Sequence, residues 1–316
     1  MKFVKNPKTK HDNNIHPREE LLTRTDKIPD DYHCDCYLEN YLGEIYNTDL
    51  NKYYSQLARN KYYDTTTPKH IAPGHFLGYR WAIQKFTQPG DWVFDPTVGT
   101  GTAIIEAINN DRNGIGIELE YPDITEANIK KQFERSYDPP TGRHIFINGD
   151  ARCLAKYLDE NNVSKESLQL VINGTPYPKE GSTSSDAPER GMASKIGHAK
   201  KAERLVDYKL NNNFGTFKGS AYWDLITNMY VDSVPYMKSG AKMVILIKDL
   251  VRNKQPYLLH KEIVDRVLEA TSELKYYGTY LHRHVPETLF MRTYNKTYGD
   301  HIKVPMYQTG IVLEKV

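Results

Sequence analysis

The octapeptide DPTVGTGT at 95–102 constrains the fold most, because it follows the apolar WVF directly and runs straight into the helical segment AIIEAINN. A glycine-rich turn between a strand and a helix lets a ligand approach bare backbone at the carboxyl end of the strand, where doubly wound sheets hold their cofactors. Gly99 and Gly101 supply that backbone, and Asp95 a carboxylate at the strand end. Many strand-to-helix turns contain glycine for geometry alone, so the turn takes its meaning from the strands downstream of it. Two further apolar segments end in acidic residues: Glu118 closes GIGIE and Asp150 closes IFINGD. A carboxylate at the end of the second strand can accept from both hydroxyls of a ribose, and Asp150 from an adenine amino group. A NAD-binding turn prefers a third glycine at position 104, where this chain has Ile104, so hydride transfer falls behind.

From Trp92 onward short apolar segments alternate with helical ones. Strands are predicted at 92–95, 114–118, 145–150, 168–173 and 242–248, with later ones near 276–283 and 308–314. Helices are predicted at 102–110, 122–135, 151–160 and 222–238. This alternation predicts a doubly wound α/β fold with a mainly parallel sheet covered by helices on both faces. Residues 1–70 read as a polar arm or cap with one short helical pattern at 45–58, and residues 71–316 as the catalytic domain. The stretch 179–220 breaks the rhythm. It is rich in Gly, Ser, Asn and Lys, and within 190–209 it carries six Lys or Arg against two Asp or Glu. A loop of that length inside a domain is usually functional or disordered.

Composition bounds the rest. Forty-two Lys and Arg against 40 Asp and Glu leave a net charge of +2, so any surface for a polyanion must be local. No apolar run approaches the ~20 residues that span a bilayer, and MKFVKNPKTKHDNN lacks the apolar stretch of a secretory signal, so a soluble cytoplasmic protein is expected. Cys34, Cys36 and Cys153 cannot build a disulfide framework, in keeping with a reducing compartment. His33, Cys34 and Cys36 offer part of a zinc set, but no second Cys pair stands at a suitable spacing, and no metal is expected.

Taken in order, DPTVGTGT, GIGIELE, INGDA and LVINGTPYP at 170–178 resemble the amino-group DNA methyltransferases, which modify an exocyclic amine of cytosine or adenine. The resemblance runs from about His75 to the C-terminus and includes GHFLGYRWAIQKFTQPGD, YWDLITNMY and KMVILIKD. It implies a sheet of the class I type and S-adenosylmethionine (AdoMet) as cofactor. The matching cofactor positions are His75, Phe76, Asp95, Pro96, Thr97, Gly99, Gly101, Thr102, Glu118, Leu119, Asp150, Ala151 and Asn173. It implies DNA as partner, as in restriction-modification systems, and a catalytic loop over Asn173, Gly174, Thr175, Pro176 and Tyr177. Tyr79 stands beside the methionine-binding positions, and Lys248 and Asp249 end a strand at the same sheet edge.

Two departures bear on chemistry. The family's first turn usually reads Asp-Pro-Phe, and here Thr97 replaces the Phe. Its catalytic loop usually reads (Asp, Asn or Ser)-Pro-Pro-(Tyr or Phe), and here Gly174 and Thr175 take the first two places. A ring amine is a poor nucleophile because its lone pair is delocalised. Acceptors aimed at both N–H groups favour the pyramidal form that can meet a methyl group in line. Asn173 or the Thr175 hydroxyl must then replace the family's side-chain acceptor, while Tyr177 stacks on an extruded base. No Cys stands near this loop, which argues against carbon-5 cytosine chemistry through a thiolate. N4 of cytosine is slightly favoured over N6 of adenine, by resemblance. Lys195, Lys200, Lys201 and Arg204 are the candidate phosphate contacts. Two other readings stay open: an RNA or tRNA base methyltransferase, and an AdoMet-binding protein with lost or weakened catalysis.

Overall fold

In the computed structural model, residues 20–25, 27–30, 32–46, 76–134, 139–178, 213–252, 255–283 and 307–316 are described. Two strands come first, β1 (Leu22–Arg24) and β2 (Tyr41–Tyr46). They are followed by α1 (Phe76–Phe86), β3 (Trp92–Asp95), α2 (Thr102–Asn109), β4 (Asn113–Glu118), α3 (Pro122–Phe133) and β5 (His144–Asn148). A 3-10 turn at Ala151–Cys153 leads into α4 (Leu154–Glu160), then β6 (Leu168–Gly174) and, beyond the next described stretch, α5 (Ser220–Ser233). The chain ends with β7 (Met237–Lys248), a small β8 (Leu250–Arg252) and β9 (Gln255–Tyr257) pair, α6 (Leu259–Ala270), β10 (Leu274–Arg283) and β11 (Tyr307–Lys315).

The nine-stranded sheet has the order β1-β2-β10-β11-β7-β6-β3-β4-β5. The five strands from β7 to β5 are all parallel. β11 is antiparallel to both neighbours, β7 and β10. The chain builds outward from β3 through β4 to β5, then returns to the other side of β3 with β6 and β7, so the carboxyl ends of β3 and β6 diverge at a topological switch point. This is the doubly wound class I methyltransferase arrangement expected from the sequence.

Both faces of the sheet are covered. Leu154 and Leu158 of α4, Ile226, Met229 and Tyr230 of α5, and Ile263, Val264 and Val267 of α6 pack on one face. Leu77 and Ile83 of α1, Ile104, Ile105 and Ile108 of α2, and Ile129 of α3 pack on the other. Every residue of β4 is buried, which is why the central strands read as unbroken apolar runs rather than alternating ones.

The structure differs from expectation at three places. The segment predicted as helix to 238 leaves α5 at Ser233, passes a 3-10 turn at Val234–Tyr236, and is already strand at Met237. Pro235 has no N–H for a helical bond, which accounts for the stop. The helical pattern at 45–58 begins inside β2, while 47–58 lies outside the described residues. β2 pairs in parallel with β10 and antiparallel with β1, so this part of the N-terminal segment extends the main sheet. Cys34 and Cys36 are joined by a disulfide, and Cys153 is free and exposed.

Candidate cofactor and catalytic site

The turn after β3 is held from two sides. Gly99 and Gly101 have φ of 57° and 88°, in the left-handed region that glycine enters without steric cost, and Gly101 caps the start of α2. From α3 the Thr125 hydroxyl donates to the Gly99 carbonyl and Asn128 Nδ2 to the Thr100 carbonyl at 2.8 Å. From β4, Glu118 Oε2 accepts the Gly99 N–H at 2.9 Å, while Oε1 accepts from Glu120 and Tyr121 at 2.8 and 2.9 Å. Burial pushes the Glu118 carboxyl above its usual range, against these backbone bonds. Each carboxylate oxygen has two lone-pair sites, so Oε2 keeps one for a further donor. Pro96, Thr97 and Thr102 lie in or beside the turn, and Thr102 is buried at the helix start.

Asp95 is fully buried at the end of β3. Its Oδ1 accepts from the Thr97 N–H at 3.0 Å and from Asn173 Nδ2 at 2.8 Å, across the switch point. Its Oδ2 is buried without a hydrogen-bond partner among the described residues. Burial lifts the carboxyl to about 7; the bonds from Asn173 and Thr97 oppose that rise and the Glu118 charge adds to it. A buried carboxylate oxygen with no donor is a costly group, and a cation facing it would remove the cost.

At the end of β6, Asn173 also donates to Thr97 Oγ1 at 2.7 Å, and its Oδ1 accepts from the Tyr230 hydroxyl at 3.0 Å. Because Tyr230 gives its proton to Asn173, the 2.6 Å contact between Tyr230 and Thr175 must be donated by Thr175. The Pro176 carbonyl accepts from Tyr222 at 2.6 Å, and the Tyr177 hydroxyl accepts the Lys248 N–H at 3.2 Å. Tyr177 is half-buried against the core. The Tyr79 hydroxyl, on α1, reaches the Gly174 backbone, and a Cβ built on Gly174 would lie 2.5 Å from it.

The structure therefore gathers Asp95, Thr97, Gly99, Gly101, Thr102, Glu118 and the loop from Asn173 to Tyr177 around one switch point. Phe76 opens α1 under the guanidinium of Arg80, 5.3 Å from its ring centre, and Leu119 is partly exposed beyond β4. Asp150 and buried Ala151 open the 3-10 turn after β5. Burial lifts the Asp150 carboxyl, but the Arg152 backbone and side chain outweigh that and hold it below the usual range. His75, Lys195, Lys200, Lys201 and Arg204 lie outside the described residues. Asp249 is buried and bonded to His33 and His260, so it offers no free carboxylate to the site. Sequence reasoning missed Tyr230, Tyr222, Thr125 and Asn128, which look like ordinary helical polar residues until the helices are docked. For Tyr230 the one available signal is its place on the YWDLITNMY helix, one turn from the buried Ile226.

A sheet of this order, with a glycine turn and strand-end carboxylates at its switch point, is the class I methyltransferase fold. Residues 1–128, through the first turn and Glu118, match the N6/N4 family described as DNA methylase. A 62-residue stretch is 42% identical to the Type II methyltransferase M.MthZI of Methanothermobacter thermautotrophicus, covering 19% of this chain and 17% of that protein. Among solved structures, a geranyl diphosphate methyltransferase in complex with SAM aligns over 89% of this chain and 100% of its own, at 11% identity and a TM-score of 0.42. The geranyl diphosphate C-methyltransferase of Streptomyces coelicolor A3(2) aligns over 77% and 76%, at 12% identity and a TM-score of 0.41. The acceptors present fit AdoMet: a buried carboxylate oxygen of Asp95 with no partner among the described residues for its ammonium, an open lone pair on Glu118 for its ribose, and bare backbone between them.

Proposed function

We propose that the chain transfers a methyl group from AdoMet to an exocyclic amino nitrogen of a DNA base, with N4 of cytosine ahead of N6 of adenine. What carries this reading is the hydrogen bond between Asp95 and Asn173, which joins the cofactor turn to the loop that would receive the base. Bound AdoMet supplies an electrophilic methyl on a sulfonium. The chain's residues do the rest. Asp95 Oδ2 takes the ammonium, Glu118 the ribose, and Asp150 with the Ala151 N–H the adenine once Arg152 releases the carboxylate. The Tyr79 hydroxyl stands where the family's acceptor side chain begins, and the Thr175 oxygen keeps lone pairs after donating to Tyr230. Tyr177 offers its ring to the base. The N-terminal segment and the basic residues Lys195, Lys200, Lys201 and Arg204 are assigned to DNA contact. One observation favours weakened catalysis as the second reading: Asn173, Thr175 and Pro176 already spend polar groups on Tyr230 and Tyr222.

The test is incubation with methyl-labelled AdoMet and separate DNA and RNA pools, followed by nucleoside identification. Label in N4-methyldeoxycytidine is expected. Label in RNA alone would move the substrate class, and no transfer to either pool while AdoMet still binds would leave the binding-protein reading in front.

The role given to Asp95 has a pH signature. A carboxyl whose folded value is raised stabilises the fold at pH below its unfolded value, 3.8, and that contribution is lost as pH rises through about 7. Above that range the ligand-free site holds a buried charge, and a cationic ligand binds best there. Affinity for S-adenosylhomocysteine, which keeps the ammonium, should rise about tenfold from pH 6 to pH 8, as one linked proton requires. In Asp95→Asn the rise should vanish. A native profile that is flat across this range would remove the ammonium from Asp95.

A further inference from the structure

Residues 32–38 lie over the carboxyl end of β7 and the start of α6, and bring together a group of side chains that the methyl-transfer site does not use. Asp249 is its centre. Asp249 Oδ2 lies 2.6 Å from His260 Nδ1 and 2.6 Å from His33 Nε2, and Oδ1 accepts the His260 N–H at 3.1 Å. Both rings and the carboxylate are fully buried. An ionised carboxylate only accepts, so each ring donates to Asp249 through the nitrogen that faces it. In neutral rings that leaves a lone pair on His260 Nε2 and another on His33 Nδ1.

The lone pair on His260 faces sulfur. His260 Nε2 lies 3.2 Å from Cys36 Sγ. Donor atoms of Cys34, Cys36 and His260 all stand within 4.8 Å of one another. Cys34 Sγ accepts the Cys36 N–H at 3.1 Å, a bond that favours a thiolate at that sulfur. His33 Nδ1 is buried with no partner among the described residues. A histidine aimed by a carboxylate on its far nitrogen, facing two sulfurs, is the donor pattern of a zinc site with its supporting shell.

We propose that Cys34, Cys36 and His260, with the sulfurs reduced, bind one zinc ion, with water in the remaining position. The Cys34–Cys36 disulfide is then the oxidised, metal-free state of the same cluster. Two molecules of a low-molecular-weight thiol convert one state to the other. They give two electrons and two protons to the S–S bond and leave as their own disulfide. Zinc then displaces the two thiol protons. The ion fastens the segment at 32–38 to β7 and α6. Asp249 directly follows Lys248, whose N–H bonds Tyr177, so the clip lies one residue from the base-receiving loop.

The test uses the full chain, reduced with a thiol, loaded with zinc and dialysed into metal-free buffer. About one zinc per chain is expected by elemental analysis, the count of a single site. The zinc should protect Cys34 and Cys36 from alkylation, read by mass spectrometry on the native chain with and without a chelator, while Cys153 reacts in both. Cys36→Ser should abolish retention, and Asp249→Asn should weaken zinc affinity about 10- to 100-fold. If Cys36→Ser fails to fold, the protection experiment decides alone. Zinc absent from the reduced chain, equal alkylation with and without chelator, or a Cys34–Cys36 bond that survives the thiol would each overturn the proposal and leave a structural disulfide.

Discussion

Gly174→Ser is expected to lower methyl transfer by about 100-fold or more while AdoMet affinity changes only a few-fold. Loss of one group positioned at a developing charge typically has that effect on rate. The missing acceptor in the family's loop pattern invites the opposite expectation, that restoring a hydroxyl would speed the reaction. The structure decides against it. A Cβ at 174 would meet the Tyr79 hydroxyl at 2.5 Å and its Cζ at 3.7 Å. Tyr79 cannot retreat cheaply, because its ring is buried between α1 and the sheet, and burial raises its hydroxyl pKa well above the usual value. Forcing a side chain into a packed core costs about 1–3 kcal/mol through displaced neighbours. Here the displaced neighbour is the hydroxyl proposed to face the base. Tyr79→Phe should itself slow turnover, and in that background Gly174→Ser should be much less damaging, because the oxygen that blocks Cβ is gone. A native-background Gly174→Ser enzyme faster than the parent would show that Gly174 marks a weakened acceptor and that Tyr79 plays no part.

Glu118→Ala should weaken AdoMet binding about 100-fold, equivalent to about 2.7 kcal/mol, and should lower the thermal midpoint of the ligand-free chain as well. Two effects combine. Three backbone N–H groups, of Gly99, Glu120 and Tyr121, lose their shared acceptor, and hydrogen bonds to a charged group contribute about 1.5–3 kcal/mol each when taken singly. The desolvation that raises the Glu118 carboxyl offsets part of that sum, so the fold should survive. The turn at Gly99 then keeps only the Val98 N–H bond to the Ile117 carbonyl beside it, and the proposed ribose acceptor is lost. Glu118→Gln should fall between, since its amide retains one acceptor oxygen but turns an NH₂ toward backbone donors. Calorimetry with AdoMet and a thermal melt separate the two contributions: unchanged affinity with a lowered midpoint would make Glu118 a structural residue only.

The sequence by itself determined the parallel half of the sheet and the edge where its strand-end carboxylates gather. Strands at Trp92–Asp95, Asn113–Glu118 and Leu168–Gly174 are legible because buried parallel strands are short unbroken apolar runs, and their carboxyl ends are marked by Asp95, Glu118 and Asn173. Local chemistry also fixed the turn, since only glycine takes the φ found at Gly99 and Gly101 without strain. What only the tertiary structure decided is which distant side chains meet. Tyr79 reaches Gly174 because α1 docks on the face beneath β6, and Tyr230 reaches Asn173 and Thr175 because α5 docks on the opposite face. Cys36 meets His260 across 224 residues because residues 32–38 lie over the end of β7. Periodicity reports which face of an element is buried, whereas contacts between elements depend on strand order and helix placement, which no local pattern encodes. The same reason explains why Gly174 reads in the sequence as a missing acceptor and in the structure as the space that the Tyr79 hydroxyl fills.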